Sequence, residues 1–251
     1  MSKAVLVDTT FCLACNACSA ECKFENKPPE GLFYTRIDQI EMGEYPAVKA
    51  NYIKRQCMHC EHPACVSACP VQALHKLPDG PVVYEAERCI GCRYCMVACP
   101  FNIPRIDFHA RFPVITKCTF CADRLAEGEP PVCVRTCPFG ALKLGERDEL
   151  IAEAQARIAQ SPGRYINHIY GQKEAGGTSW LYLASVPFKD LGLPELGPEP
   201  VPGLSEKIAI YGTPTALATV GAALAGVYWI TKRRMELMGQ PVAQNNKKES
   251  K

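Results

Sequence analysis

The chain has 251 residues, 47% hydrophobic and 22% charged, which is enough to bury a core and too apolar for a wholly disordered chain. Its 28 basic and 26 acidic residues leave a formal charge of +2, so no overall basic field draws nucleic acid. The outlier is cysteine, 16 in all, in a chain too long to be a small disulfide scaffold.

Near the start, Ala4-Val5-Leu6-Val7 is a short apolar run that predicts a strand. The first cysteine group follows, Cys12, Cys15, Cys18 and Cys22, and then the second, Cys57, Cys60, Cys65 and Cys69. Pro78-Asp79-Gly80 supplies turn chemistry between Ala73-Leu74 and Pro81-Val82-Val83-Tyr84, which predicts a hairpin. Cys89, Cys92, Cys95 and Cys99 form the third group; Cys118, Cys121, Cys133 and Cys137 form the fourth. No cysteine lies beyond Cys137, so residues 1–145 read as one cysteine-bearing domain.

Residues 146–205 form the next region. Leu150, Ile151, Ala154 and Ile158 share one face of a helix predicted over 146–160, and Pro162-Gly163 ends it. Trp180-Leu181-Tyr182-Leu183 predicts a strand. Residues 187–205 hold five prolines and read as an extended linker. Residues 206–231 form the third region. From Ile208 to Ile230 run 23 residues without a charge. At a rise of about 1.5 Å per residue they cross a hydrocarbon layer of about 30 Å. Tyr211, Tyr228 and Trp229 sit near the two ends, as interfacial aromatics do. Residues 232–251 are a basic tail, with Lys232, Arg233, Arg234, Lys247, Lys248 and Lys251 against Glu236 and Glu249. By the positive-inside rule the tail is cytoplasmic and the cysteine domain lies on the outer face.

The spacing of the cysteines carries the chemistry. Cys89-Ile-Gly-Cys92-Arg-Tyr-Cys95-Met-Val-Ala-Cys99-Pro100 matches C-x2-C-x2-C-x3-C-P, the ferredoxin pattern for [4Fe–4S] clusters, at every position. The first group keeps the spacing but has Lys23 for the proline; the second widens the gap from Cys60 to Cys65; the fourth puts eleven residues between Cys121 and Cys133. In this pattern three close thiolates serve one cube and the fourth serves its neighbour. Four groups of four predict four [4Fe–4S] clusters with no spare thiol. Disulfides and structural zinc compete, but neither is built from this tandem spacing. A third alternative is a mixture in which one group, most readily the fourth, holds no standard cube.

Four oxidised clusters, each about −2 with its thiolates, would bring the charge to roughly −6. Lys23, Lys54, Arg55, Arg88, Arg93, Arg105, Lys117, Arg124 and Arg135 are available to offset it; Arg88, Arg93 and Lys117, close to cysteines, are the expected tuners. His59 and His62 are expected to hydrogen-bond or pack, since cysteines fill every ligand position. No nucleophilic triad, paired-carboxylate or phosphate-loop motif stands out, so the chain reads as a carrier of electrons with no active site of its own.

Cys99-Pro-Phe-Asn-Ile-Pro104 and Lys117-Cys-Thr-Phe-Cys121 leading to Cys133 resemble the iron–sulfur subunits of membrane-bound molybdenum or tungsten oxidoreductases, above all the β subunit of respiratory formate dehydrogenase, and the equivalent subunit of uptake nickel–iron hydrogenase. Tyr52-Ile-Lys-Arg-Gln-Cys-Met-His-Cys60, Cys92-Arg-Tyr-Cys-Met-Val-Ala-Cys99 and Tyr170-Gly-Gln-Lys-Glu-Ala-Gly-Gly-Thr178 look nearer to the hydrogenase version. The resemblance implies an α+β fold: tandem ferredoxin-like [4Fe–4S] dicluster modules plus a single C-terminal transmembrane helix. It implies one cluster on Cys12, Cys15, Cys18 and Cys137 and a neighbour on Cys118, Cys121, Cys133 and Cys22. A third falls on Cys57, Cys60, Cys65 and Cys99, and a fourth on Cys89, Cys92, Cys95 and Cys69.

The implied function is relay of electrons between a large catalytic subunit and an integral membrane haem or quinone subunit, with lipid around the span and no nucleic acid. Hydrogenase relatives usually begin with a twin-arginine signal, whereas Met1-Ser-Lys-Ala leads almost directly into the first group; a formate dehydrogenase-like complex is therefore the leading expectation. The domain would be exported folded with a signal-bearing partner and sit at the cytoplasmic (inner) membrane. A membrane-tethered free ferredoxin and a hydrogenase subunit are the alternatives.

Overall fold

The computed structural model describes residues 2–111 and 115–239. Contacts divide the chain into two units that meet at Pro202 and Gly203. In the first unit the strands are β1 (Lys3–Asp8), β2 (Thr35–Met42), β3 (Lys49–Gln56), β4 (Leu74–Lys76), β5 (Val82–Tyr84), β6 (Arg105–Ile106), β7 (Ile115–Thr116), β8 (Leu142–Glu146) and β9 (Trp180–Leu183). Its helices are α1 (Ala17–Asn26), α2 (Ala64–Ser67), α3 (Tyr94–Ala98), α4 (Ala122–Ala126), α5 (Val132–Arg135) and α6 (Arg147–Gln160). The second unit holds α7 (Gly203–Lys207) and α8 (Thr213–Gly239).

β1 is the middle strand of a three-stranded sheet, antiparallel to β8 and parallel to β9, with Val5 opposite both Leu144 and Trp180. Successive side chains of a strand point to opposite faces, and both β1 and β9 use this. Ala4, Leu6, Leu181 and Leu183 pack with Leu150 and Ala154 of α6; Val5, Val7, Trp180 and Tyr182 face the cysteine loops with Ile53, Met58 and Phe120. Each buried leucine removed from water contributes about 1.5–3 kcal/mol. The sheet is therefore the wall between a helix and the cysteine-bearing loops.

The expected strand at Ala4–Val7, helix over 146–160 and strand at Trp180–Leu183 are all present. The hairpin is present too, β4 pairing antiparallel with β5. Its turn needs glycine: Gly80 has φ +121°, and a Cβ there would stand 2.8 Å from the Lys3 carbonyl oxygen. β2 and β3 form a second, longer hairpin, with Thr35 opposite Gln56.

Residues 187–202 are not an extended linker. Phe188, Leu191 and Leu193 are buried in the main core, and Tyr170 Oη donates to the Pro194 carbonyl at 2.7 Å. The prolines set the bends of a strap whose apolar residues face inward. Residues 146–202 thus belong to the same compact unit as the cysteine groups.

Beyond Gly203 the chain is helical to Gly239, long and apolar enough to cross a membrane. Pro214 lacks an N–H, and the helix accommodates it near its start, where Ile208–Gly212 widens into a π-turn. Leu217, Val220, Leu224 and Val227 are all exposed, as a lipid- or partner-facing helix requires. Lys247, Lys248 and Lys251 of the basic tail lie outside the described residues.

Candidate metal centres

Each cysteine group opens with a C-x2-C loop whose penultimate residue is in the left-handed region: Ala14 at φ 52°, His59 at 47°, Gly91 at 69° and Phe120 at 61°. Such a turn directs successive N–H groups inward at the first sulfur. The Phe120 N–H donates to Cys118 Sγ at 3.3 Å and the Gly91 N–H to Cys89 Sγ at 3.4 Å. A short helix follows, carrying the third cysteine: Cys18 on α1, Cys65 on α2, Cys95 on α3 and Cys133 on α5. The fourth lies four residues on, within α1 for Cys22 and just past the helix end for Cys69, Cys99 and Cys137, where it meets a different group.

The result is four sets of thiols. Cys12 has Cys15, Cys18 and Cys137 as electrostatic neighbours, and the four line one apolar cavity with Val7, Ile37 and Leu142. Cys22 adjoins Cys121 and Cys133, and Cys118 adjoins Cys22 and Cys133. Cys60 adjoins Cys57, Cys65 and Cys99. Cys95 adjoins Cys69, Cys89 and Cys92, which line a second apolar cavity with Leu74, Tyr84 and Ile115. The eleven-residue insertion in the fourth group does not disrupt its set, because α4 takes up the added chain and Arg124 ties it back by donating to the Pro130 carbonyl at 3.2 Å.

Neighbouring thiols link the sets. Cys18 neighbours Cys22, Cys57 neighbours Cys118, and Cys65 neighbours Cys95. Cys15 and Cys92, in the two end sets, are exposed.

Burial pushes eight of these thiols up, among them Cys22 and Cys65 to about 12 and Cys95 to about 11, and neighbouring sulfurs add to it. Cys89 goes the other way: burial alone would raise it, but the Ile115 N–H, the Tyr84 hydroxyl and the Gly91 N–H outweigh that. Thiols held this way ionise when cations arrive and the protons leave.

Two lysines provide buried positive charge. Lys54 is 2% exposed and favours the thiolates of Cys22 and Cys133; Lys117 is 3% exposed and does so for Cys65. Lys117 is one of the expected tuners, whereas Lys54 belongs only to the larger group of available cations. Arg88 is instead half-exposed and pairs with Glu85 at 3.4 Å. Arg93 lines the cavity of Cys69, Cys89, Cys92 and Cys95, with its guanidinium 5.1 Å from the Phe108 ring.

His59 packs as expected. Its ring is fully buried, Nδ1 accepts from the Val82 N–H at 2.8 Å, and the ring lies 4.8 Å from Phe120. Burial, with Lys117, Lys76 and Lys54 nearby, holds its pKa well below the ordinary value.

The segment Tyr170–Thr178 forms a cradle that sequence reasoning left without a role. The buried Glu174 carboxylate accepts from the Gly171 N–H and contacts His168 Nε2, both at 2.7 Å. The Glu61 N–H donates to the Gly177 carbonyl at 2.9 Å, and the Ser179 N–H reaches the Met58 and His59 carbonyls at 3.1 and 3.2 Å. This segment therefore fixes the Cys57–Cys60 loop against β9.

The donor sets fit [4Fe–4S] clusters. Each offers four thiols, those at the two ends surround mostly apolar cavities, and N–H donors and cations stand close by. Ser19 Oγ, His59 Nε2 and Trp180 Nε1 are buried without a hydrogen-bond partner among the described residues, and electron-rich sulfur would satisfy such donors. No three His, Cys, Asp or Glu side chains among the described residues are grouped so as to hold a single metal ion.

Comparison with known proteins agrees. The 4Fe–4S dicluster domain matches residues 48–147. The chain is 39% identical to the hydrogenase-2 operon protein HybA of Escherichia coli O157:H7, over 78% of this chain and 74% of the relative. Against the iron–sulfur subunit of nitrate-inducible formate dehydrogenase of Escherichia coli K12 the identity is 33%, over 72% and 67%. Against the iron–sulfur subunit of formate dehydrogenase-O of the same organism it is 31%, over 88% and 79%. A chain that shares this much of its length with these proteins, and carries thiol sets suited to the same clusters, belongs to the family of electron-transferring iron–sulfur subunits that contain the 4Fe–4S dicluster domain.

Proposed function

We propose that the chain relays electrons through four [4Fe–4S] clusters between a catalytic subunit of the formate dehydrogenase type and a haem- or quinone-bearing membrane subunit. The ligand sets are Cys12, Cys15, Cys18 and Cys137; Cys22, Cys118, Cys121 and Cys133; Cys57, Cys60, Cys65 and Cys99; and Cys69, Cys89, Cys92 and Cys95. The single observation behind the relay is that neighbouring thiols link each set to the next, Cys18 to Cys22, Cys118 to Cys57 and Cys65 to Cys95.

Each bound cluster supplies one-electron exchange without a proton. The protein's part is to hold the clusters apart from water and to set their potentials. Lys54 and Lys117 favour the more negative reduced state of the inner sets. Exposed Cys15 and Cys92 bring the end sets to the surface, where electrons enter and leave.

The helix from Gly203 to Gly239 anchors the chain in the cytoplasmic membrane. Lys232, Arg233 and Arg234 at its end support a cytoplasmic C-terminus, with the cluster domain on the outer face. Cluster assembly in reducing surroundings, followed by export of the folded domain with a signal-bearing partner, is compatible with that topology.

The test is anaerobic purification in mild detergent. About sixteen irons per chain with matching acid-labile sulfide are expected, alongside a large molybdenum- or tungsten-containing subunit; eight irons or fewer with stoichiometric zinc would defeat the proposal. The higher identity to HybA favours a second reading, a hydrogenase as the catalytic partner. Nickel in the co-purifying subunit would select it. Protease added to spheroplasts should digest the cluster domain and spare a C-terminal epitope.

A further inference from the structure

The four C-x2-C loops are not equivalent at their left-handed residue. The end loops place small residues there, Ala14 and Gly91; the two inner loops place rings, His59 and Phe120. A left-handed conformation costs a non-glycine residue roughly 1–2 kcal/mol, so a bulky ring at such a position calls for a compensating role. The two rings meet 4.8 Å apart between centroids, and Phe120 in turn meets Trp180 edge-on at 5.6 Å. His59 thus stands where the loop of Cys57 and Cys60 meets the loop of Cys118 and Cys121. Cys57 and Cys118 are also the neighbouring thiols that join the two inner sets.

The protonation of this histidine is fixed by its contacts. Nδ1 accepts from the Val82 N–H at 2.8 Å, so that nitrogen carries a lone pair and the proton of the neutral ring is on Nε2. Nε2 is buried and has no hydrogen-bond partner among the described residues. The ring cannot swing to find one easily: Ser179 Oγ and N–H hold the His59 carbonyl at 3.0 and 3.2 Å, and Phe120 closes one side. A buried N–H with no acceptor costs about 1–3 kcal/mol. Electron-rich cluster sulfur is the acceptor that would relieve it.

We propose that His59 Nε2–H donates a hydrogen bond to sulfur of one of the two inner [4Fe–4S] clusters, making His59 the positioning residue that raises that cluster's potential at the junction of the two halves of the relay. The inference rests on the reading that both inner sets hold clusters. A donor to sulfur stabilises the reduced state, which carries one more negative charge. No proton is transferred. In the end loops Ala14 and Gly91 offer no such group, so the effect is confined to the middle of the chain of clusters.

The experiment uses the anaerobically purified complex with wild-type chain, with His59→Phe, which keeps a ring but removes the donor, and with His59→Gln, which restores an N–H. Redox titration followed by electron paramagnetic resonance is expected to show one inner cluster harder to reduce in His59→Phe. Its reduced-to-oxidised ratio at a fixed potential should fall about three- to tenfold, with the other three unchanged and His59→Gln recovering part of the shift. In wild-type protein labelled with 15N-histidine, that cluster should show a nitrogen coupling and an exchangeable proton, both lost in His59→Phe. Unshifted potentials with full iron, or no histidine coupling in the wild type, would overturn the proposal. The wild-type coupling decides the matter even where His59→Phe loses a cluster. A wild-type chain without about sixteen irons would instead defeat the underlying reading.

Discussion

Lys54 holds its ammonium 4.5 Å from the centroid of the Trp180 ring, almost fully buried, while donating to Thr35 Oγ1 at 2.6 Å and Gln56 Oε1 at 3.2 Å. No carboxylate pairs with it at salt-bridge distance among the described residues. A buried cation without a carboxylate is costly unless other negative charge lies nearby, and Cys22 and Cys133 are the groups whose thiolates it favours. Lys54→Met should lower the potential of the cluster on Cys22, Cys118, Cys121 and Cys133, read by redox titration. It should also cost about 1–3 kcal/mol through the acceptors it leaves unpaired. An unchanged potential would separate Lys54 from that cluster.

Cys95→Ala should remove the cluster of Cys69, Cys89, Cys92 and Cys95 and interrupt the relay. Iron should fall by about four per chain, and turnover with quinone should be lost while reduction by an artificial dye at the catalytic subunit survives. Unchanged quinone turnover with one cluster signal gone would show that the relay is not linear.

Asp8 is 1% exposed and accepts from Tyr165 Oη at 2.7 Å and from Arg157 Nη1 at 3.1 Å. Burial, then the hydrogen bond to Asp8, raises the Tyr165 pKa above its ordinary 10.0. The folded state therefore keeps this proton longer than the unfolded state does. The stabilisation is fully present below about pH 10 and is lost as pH rises through the raised pKa. Tyr165→Phe should lower stability by about 1 kcal/mol at about pH 8, and the gap in Tm to the wild type should close toward about pH 11. A gap constant across that range would contradict the assignment.

Gly171 has φ +92°, and a Cβ on it would stand 2.2 Å from the Trp180 carbonyl oxygen. The Trp180 carbonyl belongs to the backbone of β9, so it cannot move aside cheaply. Gly171→Ala should cost more than about 3 kcal/mol and reduce cluster retention at the Cys57 loop. Gly128→Ala is the control: it shares a positive φ of +79° but has nothing within 4 Å of its Cβ position. Thermal melts of the two variants should differ clearly.

Ala218, Ala222 and Gly226 recur every four residues along α8, giving one face on which another helix can approach closely. Ala222→Leu should weaken retention of the membrane subunit in mild detergent while leaving iron content intact. Full retention would make that face lipid-exposed.

The local features were legible because they depend on short stretches of chain. Spacing identified four ferredoxin-type groups and the apolar face of the helix ending at Gln160, turn chemistry the Pro78–Gly80 hairpin, and composition an uncharged stretch long enough to span a bilayer. What spacing left open, with the sharing of cysteines between groups implied only by the family resemblance, depends on residues far apart in the chain. Cys137 joins Cys12 because β1 pairs antiparallel with β8 just beyond it, and Trp180 reaches the cysteine loops because β9 pairs in parallel with β1. The proline-rich strap looks like a linker since composition reports bends, whereas burial of Phe188, Leu191 and Leu193 reports what those bends face. Lys54 and Arg88 differ in the same way. Adjacency to cysteine favours Arg88, but only the packing of β3 against β9 decides that Lys54, like Lys117, is kept out of water. Local spacing determines which groups can bind iron; which groups share a cluster, and which charges stay desolvated beside it, follow from long-range strand pairing.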